Sequence, residues 1–312
     1  MLLVASDTSR RKPIEPISSI SAPEILADGL RLLRANNPSP MTERGTNTYL
    51  LGNSEVAVID PGPDDLAHLD AILHATQGGQ RIAQIWVTHS HLDHSALVPR
   101  LADATGAKVM AFGRSDAGRT GQMTAIAKHI GIGGGEGVDH DFTPDVHLRD
   151  GAMLEIDGIV ATAHWTPGHF CNHLSFDTAL GTFTGDLIMG WASSLVSPPD
   201  GDLSAYMASL DAVEALDAPR LFSGHGAVVE AAQDRIRWLR DHRLSREGKI
   251  LATLDDTPVD LGALTQTVYA DVPVAMHPAA ARNLLAHLID LERRGKVLTS
   301  GTHGAQAKYR LA

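Results

Sequence analysis

The sequence predicts an α+β fold, in which a layered main domain is followed by a small helical domain. Short apolar runs separated by Gly, Pro and Asn turns are typical of strands, and helical segments interrupt them without a regular βαβ repeat. The charge balance also changes from strongly acidic to slightly basic near residue 229. We therefore expect an N-terminal arm over residues 1–29, a main domain over 30–229 and a second domain over 230–312.

The elements of the main domain follow from two periodicities. The arm before it contains three prolines and few periodic apolar positions. Apolar residues at helical spacing predict helices behind Asp64, over 95–104 and behind Ser204. Apolar runs predict strands, in chain order, at residues 30–33, 46–51, 55–59, 82–87, 108–112, 153–156, 159–163, 174–176 and 182–184.

The C-terminal segment has a different pattern. Helical periodicity predicts helices at 233–251, 261–270 and 278–294, and the last of these opens with Pro278 in its first turn. Two strand-like runs, 297–300 and 307–311, flank a Gly-Thr-His-Gly turn. Three helices followed by a hairpin predict a winged-helix-like domain.

Composition excludes several classes of protein. The chain of 312 residues has one cysteine, which excludes an intramolecular disulfide framework and zinc knuckles built on cysteine pairs. Its net charge of −11 argues against polyanion binding over the whole surface. No apolar run approaches 18 residues, and the first apolar run is too short for a signal peptide. We therefore expect a cytoplasmic protein without a membrane partner.

Four candidate metal ligands lie within six residues, directly behind the strand predicted at 82–87. His89 and His91 are two residues apart in extended chain and point to the same side, and Asp93 and His94 follow where the chain enters a helix. A solvated polar loop is the alternative. Histidine is the commonest metal ligand, and four ligands this close behind a buried strand favour a site for two adjacent metal ions.

Three later segments also end an apolar strand with a histidine or a carboxylate. They are Trp-Thr-Pro-Gly-His ending at His169, Thr-Gly-Asp ending at Asp186, and Ser-Gly-His-Gly around His225. Each alone is weak, because a histidine beside glycine often only occupies a turn. Their common position at strand ends predicts that they join the first block in one metal site.

These motifs resemble those of the metallo-β-lactamase-fold hydrolase superfamily, over roughly residues 30–229. Segments 45–49 and 58–62 are also similar to the first strands of that family. The resemblance implies an αββα sandwich with a dinuclear site along one edge. The implied ligands are His89, His91 and His169 for one metal ion, Asp93, His94 and His225 for the other, and Asp186 as the bridge.

Nitrogen and oxygen ligands suit two Zn²⁺ ions, and Mn²⁺ or Fe²⁺ accept the same donors. A metal-bound hydroxide would then be the nucleophile, because bound divalent ions lower the pKa of water to about 7. Asp93 would act catalytically by holding and orienting the proton of this nucleophile. True β-lactamases usually place a cysteine ligand in the second site; here Cys171 is expected to be a buried small side chain, which disfavours lactamase activity.

Four residues are candidate substrate contacts. His173 could donate to an oxyanion or a phosphate, and Trp191 could line the cleft behind Asp186, although both also fit structural positions. Arg237 and Arg240 belong to an arginine-rich helical segment, 235–246, which would form either a phosphate-contacting ridge or an ion-paired solvated face.

The sequence predicts a dinuclear metal-dependent hydrolase and leaves its substrate open. The C-terminal segment resembles the winged-helix-like domain of one metallo-β-lactamase-fold subgroup, which includes endoribonucleases acting on single-stranded RNA and members linked to thioester hydrolysis. A phosphodiester such as single-stranded RNA is one expectation, and a small-molecule thioester or other ester is the alternative. Two further alternatives are a mononuclear-iron sulfur dioxygenase and a non-catalytic metal-binding protein.

Overall fold

The structure, a computed structural model, describes residues 22–131 and 137–312. Its first sheet has seven strands, which lie in the order in which they occur in the chain. The first four pair antiparallel, and the pairs from the fourth strand onward are parallel. The strands are β1 (Glu24–Ala27), β2 (Leu30–Arg34), β3 (Asn47–Leu51), β4 (Glu55–Ile59), β5 (Arg81–Trp86), β6 (Lys108–Ala111) and β7 (Val146–His147).

The second sheet has five strands, which also lie in the order in which they occur in the chain. Its neighbours pair antiparallel except for the last two, which run parallel. The strands are β8 (Ala152–Ile156), β9 (Ile159–Trp165), β10 (Leu174–Thr178), β11 (Gly181–Gly185) and β12 (Leu221–Ser223).

Helices cover the outer faces of the two sheets. Asp65, rather than Asp64, caps the first helix, since its carboxylate accepts a hydrogen bond from the Ala67 amide. The helices of the main domain are α1 (Leu66–Ala75), α2 (Leu92–Ser95), α3 (Val98–Thr105), α4 (Gly121–Ala127) and α5 (Leu203–Ala215).

Alternation along the strands builds the sandwich. On β3, Tyr49 and Leu51 face the core between the sheets, whereas Leu50 packs outward with α1 and α3. Trp86 from the first sheet meets Phe176 from the second, with ring centroids 5.3 Å apart. The outer face of the second sheet packs against α5 and the helix that follows β12. The layers therefore run helix, sheet, sheet, helix, which confirms the predicted fold class.

The C-terminal domain has its own core and its own sheet. It contains α6 (Ala232–Thr253), β13 (Val259–Asp260), α7 (Leu261–Val268), α8 (His277–Arg293), β14 (Val297–Ser300) and β15 (Lys308–Leu311). The three strands pair antiparallel in the order β13, β15, β14.

The first helix of this domain, α6, connects the two cores. Ile236 and Leu239 pack with α5 in the main domain, whereas Ile250 lies in the core formed with α7 and α8. The structure thus has the predicted helices and hairpin of a winged helix.

Part of the segment predicted as an N-terminal arm, residues 1–29, forms a strand. Residues 1–21 lie outside the described part of the chain, and Glu24–Ala27 forms β1 at the edge of the first sheet. This segment pairs antiparallel with β2, although its own residues are partly exposed.

Candidate metal centre

The block from His89 to His94 is held at the end of β5 by a carboxylate from β4. Asp60, whose φ is +53°, accepts hydrogen bonds from the Thr88 amide (2.8 Å) and from the Thr88 hydroxyl (2.7 Å). His91 then occupies the N-cap of α2, and Asp93 and His94 lie in its single turn. The change from strand to helix turns all four candidate ligands of this block toward the same edge of the sandwich.

His169 follows β9 in a tight turn that depends on a glycine. Gly168 has φ of +143°, and a Cβ at this position would lie 2.3 Å from the Tyr206 Cα. Glycine is therefore required both by the backbone conformation and by the close approach of α5. The Nδ1 of His169 donates to the Leu195 carbonyl at 2.7 Å, which leaves Nε2 free to face the cluster.

Asp186 and His225 come from neighbouring parallel strands. They follow β11 and β12, whose carboxyl ends meet at one edge of the sheet. Gly224 permits their approach, since a Cβ there would lie 2.5 Å from Asp186 Oδ1. The side-chain amide of Asn47 donates to the carbonyls of Ser223 (3.0 Å) and Gly226 (2.9 Å) and holds this turn in place.

The seven predicted ligands converge in one cluster of two groups. In the first, Nδ1 of His91 lies 2.9 Å from Nε2 of His89 and 3.1 Å from Nε2 of His169. In the second, Asp93 Oδ2 lies 3.2 Å from Nε2 of His225 and 3.7 Å from Nε2 of His94. The ligand atoms within each of these groups lie within 4.8 Å of one another.

Asp186 lies between the two groups and faces each with a different oxygen. Its Oδ2 is 3.8 Å from His169 Nε2, and its Oδ1 is 3.5 Å from His94 Nε2 and 3.4 Å from His225 Nε2. This is the placement that a carboxylate needs to contact two adjacent cations.

The carboxylates make the second group favourable for positive charge. Burial opposes protonation of His94, but Asp93 and Asp186 outweigh it and raise its pKa to about 9. Burial likewise opposes protonation of His225, and the same carboxylates raise its pKa well above the usual value. In return, the histidines lower the pKa of both carboxyls, although burial alone would raise it.

The first group favours neutral imidazoles instead. Burial, reinforced by neighbouring histidines, lowers the pKa of His89 well below its usual value and that of His91 to about 3. Burial also lowers the pKa of His169. Neutral imidazole is the form that ligates a metal ion.

The donor set fits divalent cations. Within the described residues, three buried atoms at the centre have no hydrogen-bond partner: Nε2 of His94, Nε2 of His225 and Oδ1 of Asp186. Buried polar atoms in folded proteins are nearly always paired, so three unpaired atoms facing one point indicate that a cation completes the site. Histidine nitrogens and carboxylate oxygens are donors that Zn²⁺ accepts.

The cluster opens into a cleft of about 250 Å³. Its wall includes the ligands His91, Asp93, His169, Asp186 and His225. The other lining residues are Met41, Gly137, Met189, Leu195, Ser197, Asp200 and Arg282. The last of these belongs to α8, so the C-terminal domain forms part of the cleft.

The structure separates the predicted substrate contacts from this cleft. His173 is fully buried behind His89, with Nδ1 3.0 Å from the Thr166 hydroxyl. Trp191 lies beside Glu43 and Arg235 in a neighbouring depression and not among the residues lining the ligand cleft.

The arginines of α6 are engaged elsewhere. Arg237 pairs with Asp234 on the same helix, and Arg240 pairs with Asp211 (2.5 Å) and Glu214 (2.6 Å) of α5. Neither lines the ligand cleft within the described residues. Their placement matches an ion-paired face rather than a phosphate-contacting ridge at the ligands.

Other arginines of the same helix hold the loop behind Asp186. Arg235 donates to the carbonyls of Met189 and Ala192, and Arg243 donates to that of Ser194. Because Leu195 in this loop accepts from His169, α6 supports the position of a predicted ligand.

Sequence reasoning missed three groups that shape the site. Asp60 orients His94, since its Oδ2 lies 2.9 Å from His94 Nδ1. Asn47 fixes the turn that carries His225, and Arg282 reaches the cleft from α8. The motifs around residues 47 and 60 indicate only strands, and Arg282 has no spacing relation to any ligand. Cys171 is buried, as expected, and its thiol donates a hydrogen bond to the Ser115 carbonyl.

The sequence profile of the metallo-beta-lactamase superfamily matches residues 41–225, and that of the beta-lactamase associated winged helix domain matches residues 261–305. The chain belongs to the metallo-beta-lactamase superfamily. Both profiles confirm the resemblance seen in the sequence. The superfamily binds divalent metal ions and is typically hydrolytic, and this member carries a His/Asp cluster that could hold such ions.

Relatives in this superfamily span most of the chain. The Beta-lactamase-like protein 2 homolog of Drosophila melanogaster is 34% identical over 278 residues, which cover 85% of this chain and 88% of that protein. The atrochrysone carboxyl ACP thioesterase of Aspergillus fumigatus is 29% identical over 245 residues, 75% of this chain and 68% of that protein. The crystal structure of a metallo-beta-lactamase family protein from Thermus thermophilus is 26% identical, with a TM-score of 0.74, covering 92% of this chain and all of that one.

In residues 22–131 and 137–312, no helix combines the length and the apolar character needed to span a bilayer.

Proposed function

We propose that this protein is a dinuclear metal-dependent hydrolase that cleaves thioesters of small molecules. The observation that carries the dinuclear assignment is Asp186, whose two oxygens face two separate groups of candidate ligands. One metal ion would be held by His89, His91 and His169, the other by Asp93, His94 and His225, with Asp186 between them.

Divalent ions at these positions, expected to be Zn²⁺, lower the pKa of water and polarise a carbonyl oxygen. The protein's own side chains would position the reacting groups at these ions. The side chain of Asp93 lines the cleft and is 30% exposed, whereas the side chains of His94 and His225 are fully buried. Its Oδ2 faces these two histidines, and the residue lines the cleft, so we expect its carboxylate to accept a proton from water there.

The overall reaction adds water across the carbon–sulfur bond. The carbonyl carbon gains an oxygen, the carbon–sulfur bond breaks, and the products are a carboxylate and a thiol. Met41, Met189 and Leu195 give the cleft an apolar wall suited to an acyl chain. That lining favours a small acyl compound over an extended polyanion.

Three further observations support a thioester over RNA. Arg237 and Arg240, which would have bound phosphates, pair with acidic side chains away from the ligands. Two relatives that match most of this chain are named as atrochrysone carboxyl ACP thioesterases. The net charge of −11 also opposes the approach of a long polyanion.

The test is a substrate panel on protein loaded with Zn²⁺, Mn²⁺ or Fe²⁺, with metal content measured by mass spectrometry. The panel contains acyl thioesters of N-acetylcysteamine, acetyl-coenzyme A, bis(p-nitrophenyl) phosphate, single-stranded RNA, a β-lactam, and glutathione persulfide with oxygen uptake as the readout. We expect thioester hydrolysis that a chelator abolishes and added metal restores.

Each other outcome assigns a different function. Cleavage of the phosphodiester or RNA without thioester hydrolysis would make the protein a phosphodiesterase. Oxygen uptake with a single iron would make it a sulfur dioxygenase. Turnover of nothing in the panel by protein holding two metal ions would leave a binding protein and overturn the proposal.

A further inference from the structure

The C-terminal domain places a cation in the cleft of the main domain. Arg282 lies in the second turn of α8 and lines the cleft together with Asp93, Asp186 and the other ligands. Its neighbour Asn283 accepts a hydrogen bond from the Val196 amide at 3.0 Å, which fixes this turn of α8 against the loop behind Asp186. The position of Arg282 is therefore set by the docking of the two domains.

Other contacts make this docking firm. Ser204 of α5 lies 2.5 Å from Asp290 of α8, and Arg293 of α8 pairs with Asp202 at 2.7 Å. Asn283 also accepts from Arg243 of α6 at 3.2 Å. Polar contacts at both ends of α8 hold it in place, so Arg282 is presented by a rigid element.

The guanidinium of Arg282 lacks the partners that the neighbouring arginines have. Within the described residues its Nε is shielded from solvent without a hydrogen-bond partner, and no carboxylate pairs with it. The carboxylates that line the cleft contact other side chains: Asp93 and Asp186 face histidines, and Asp200 pairs with Arg119.

By contrast, Arg235 of α6 donates to the carbonyls of Met189 and Ala192, and the two terminal nitrogens of Arg243 donate to the Ser194 carbonyl and the Asn283 side chain. A guanidinium offers five donors in a planar fork that matches carboxylate and phosphate oxygens. Unused donors that line a ligand cleft indicate an acidic group of the ligand as their partner.

We propose that Arg282 binds an acidic group of the substrate, a carboxylate or a phosphate, at a point separate from the thioester carbonyl. This inference rests on the proposed function for its reacting bond. The cleft then has three parts: the candidate metal ligands at the reacting end, the apolar wall of Met41, Met189 and Leu195, and one cation from α8. The substrate class is an anionic acyl thioester.

A binding experiment tests Arg282 independently of turnover. Titration calorimetry on metal-loaded protein compares two matched pairs: acetate with succinate, and pantetheine with 4′-phosphopantetheine. In each pair the second compound adds one acidic group. We expect that, in one pair, the compound with the added acid binds more tightly than its partner. Arg282→Gln should weaken the binding of that compound by tenfold or more and leave the binding of its partner unchanged.

The two pairs distinguish the sources of the acid. Loss of succinate binding would place a carboxylate of the acyl group at Arg282, and loss of 4′-phosphopantetheine binding would place the phosphate of the carrier there. Arg282→Lys should retain part of the tighter binding of the acidic compound, because lysine keeps the positive charge but lacks the planar guanidinium. Arg81→Gln is the matched control, since Arg81 pairs with exposed Glu55 at the opposite end of β5 from the ligands.

Activity provides the second readout. For the recognised anionic thioester, Arg282→Gln should raise KM by tenfold or more, with kcat and the hydrolysis of neutral acetyl-N-acetylcysteamine unchanged. The inference is overturned if neither acid binds more tightly than its partner, or if Arg282→Gln weakens both members of a pair equally. Absence of any thioester hydrolysis would overturn the proposed function, while the calorimetry would still decide whether Arg282 binds an acid.

Discussion

Replacing Asp60 by asparagine should weaken the binding of one metal ion and leave the binding of the other unchanged. Asp60 accepts three hydrogen bonds, from the Thr88 amide, the Thr88 hydroxyl and Nδ1 of His94. Asparagine keeps the carbonyl oxygen for the amide, and the hydroxyl can rotate to accept from the new amino group. The contact that cannot be kept is the one with His94, because an amino group would then face the N–H of Nδ1.

The consequence follows from the tautomers of imidazole. To accept from asparagine, His94 must move its proton from Nδ1 to Nε2, which is the nitrogen facing Asp93 and Asp186. A protonated Nε2 cannot ligate. Loss of such an orienting partner typically costs about 10- to 100-fold in metal affinity, which corresponds to about 1.4–2.8 kcal/mol.

The assay is a competition titration with a chelating indicator, in which metal stoichiometry is measured at each free Zn²⁺ concentration. We expect one ion to bind with its wild-type Kd and the Kd of the other to rise by about 10- to 100-fold. Asp177→Asn is the control, because Asp177 accepts from Thr182 at the end of the β10–β11 hairpin away from Asp186. Two unchanged Kd values, or equal weakening of both, would refute the assignment of Asp60 as the partner that orients His94.

Three further predictions concern the same site and its surroundings. Asp186→Ala should lower hydrolysis by at least about 100-fold and loosen both metal ions with the circular dichroism spectrum retained, since it removes the group between them; near-normal turnover would contradict its bridging position. Gly224→Ala should lower kcat with the fold intact, because its Cβ would lie 2.5 Å from Asp186 Oδ1 and 2.7 Å from His94 Cε1; an unchanged kcat would mean that this turn adjusts freely. Arg237→Gln should change the free energy of unfolding by no more than about 1 kcal/mol, since exposed pairs such as Arg237–Asp234 contribute little, and hydrolysis should be unaffected; a large rise in KM would restore the arginine ridge as a substrate contact.

Local patterns in the sequence were enough to predict the layers and the cluster. The consecutive apolar residues Tyr49, Leu50 and Leu51 predict a strand, and the structure places them in the two cores on either side of β3. His89 and His91 were recognisable because ligands that serve one site follow a strand at short spacing. These signals are local, so they are readable without knowing where the chain folds.

The N-terminal edge and the arginine helix show where local signals fail. Glu24–Ala27 is only four residues long and partly exposed, and it becomes a strand through pairing with β2. The arginines of α6 look alike in sequence, yet Arg237 pairs with a neighbouring acid and Arg243 is buried on the Ser194 carbonyl. Only the packing of α6 against the loop behind Asp186 decides which arginine is structural.

By itself, the sequence determined the superfamily, the layered fold and the set of candidate ligands, because each is carried by short motifs whose own residues lie close together in the chain. The tertiary structure alone decided what surrounds those ligands. Asn47 holds a turn 176 residues away in the chain, Asp60 orients His94, and Arg282 enters the cleft from a different domain. Such contacts join segments that are distant in sequence, so no spacing or periodicity records them until the sheets and domains have packed.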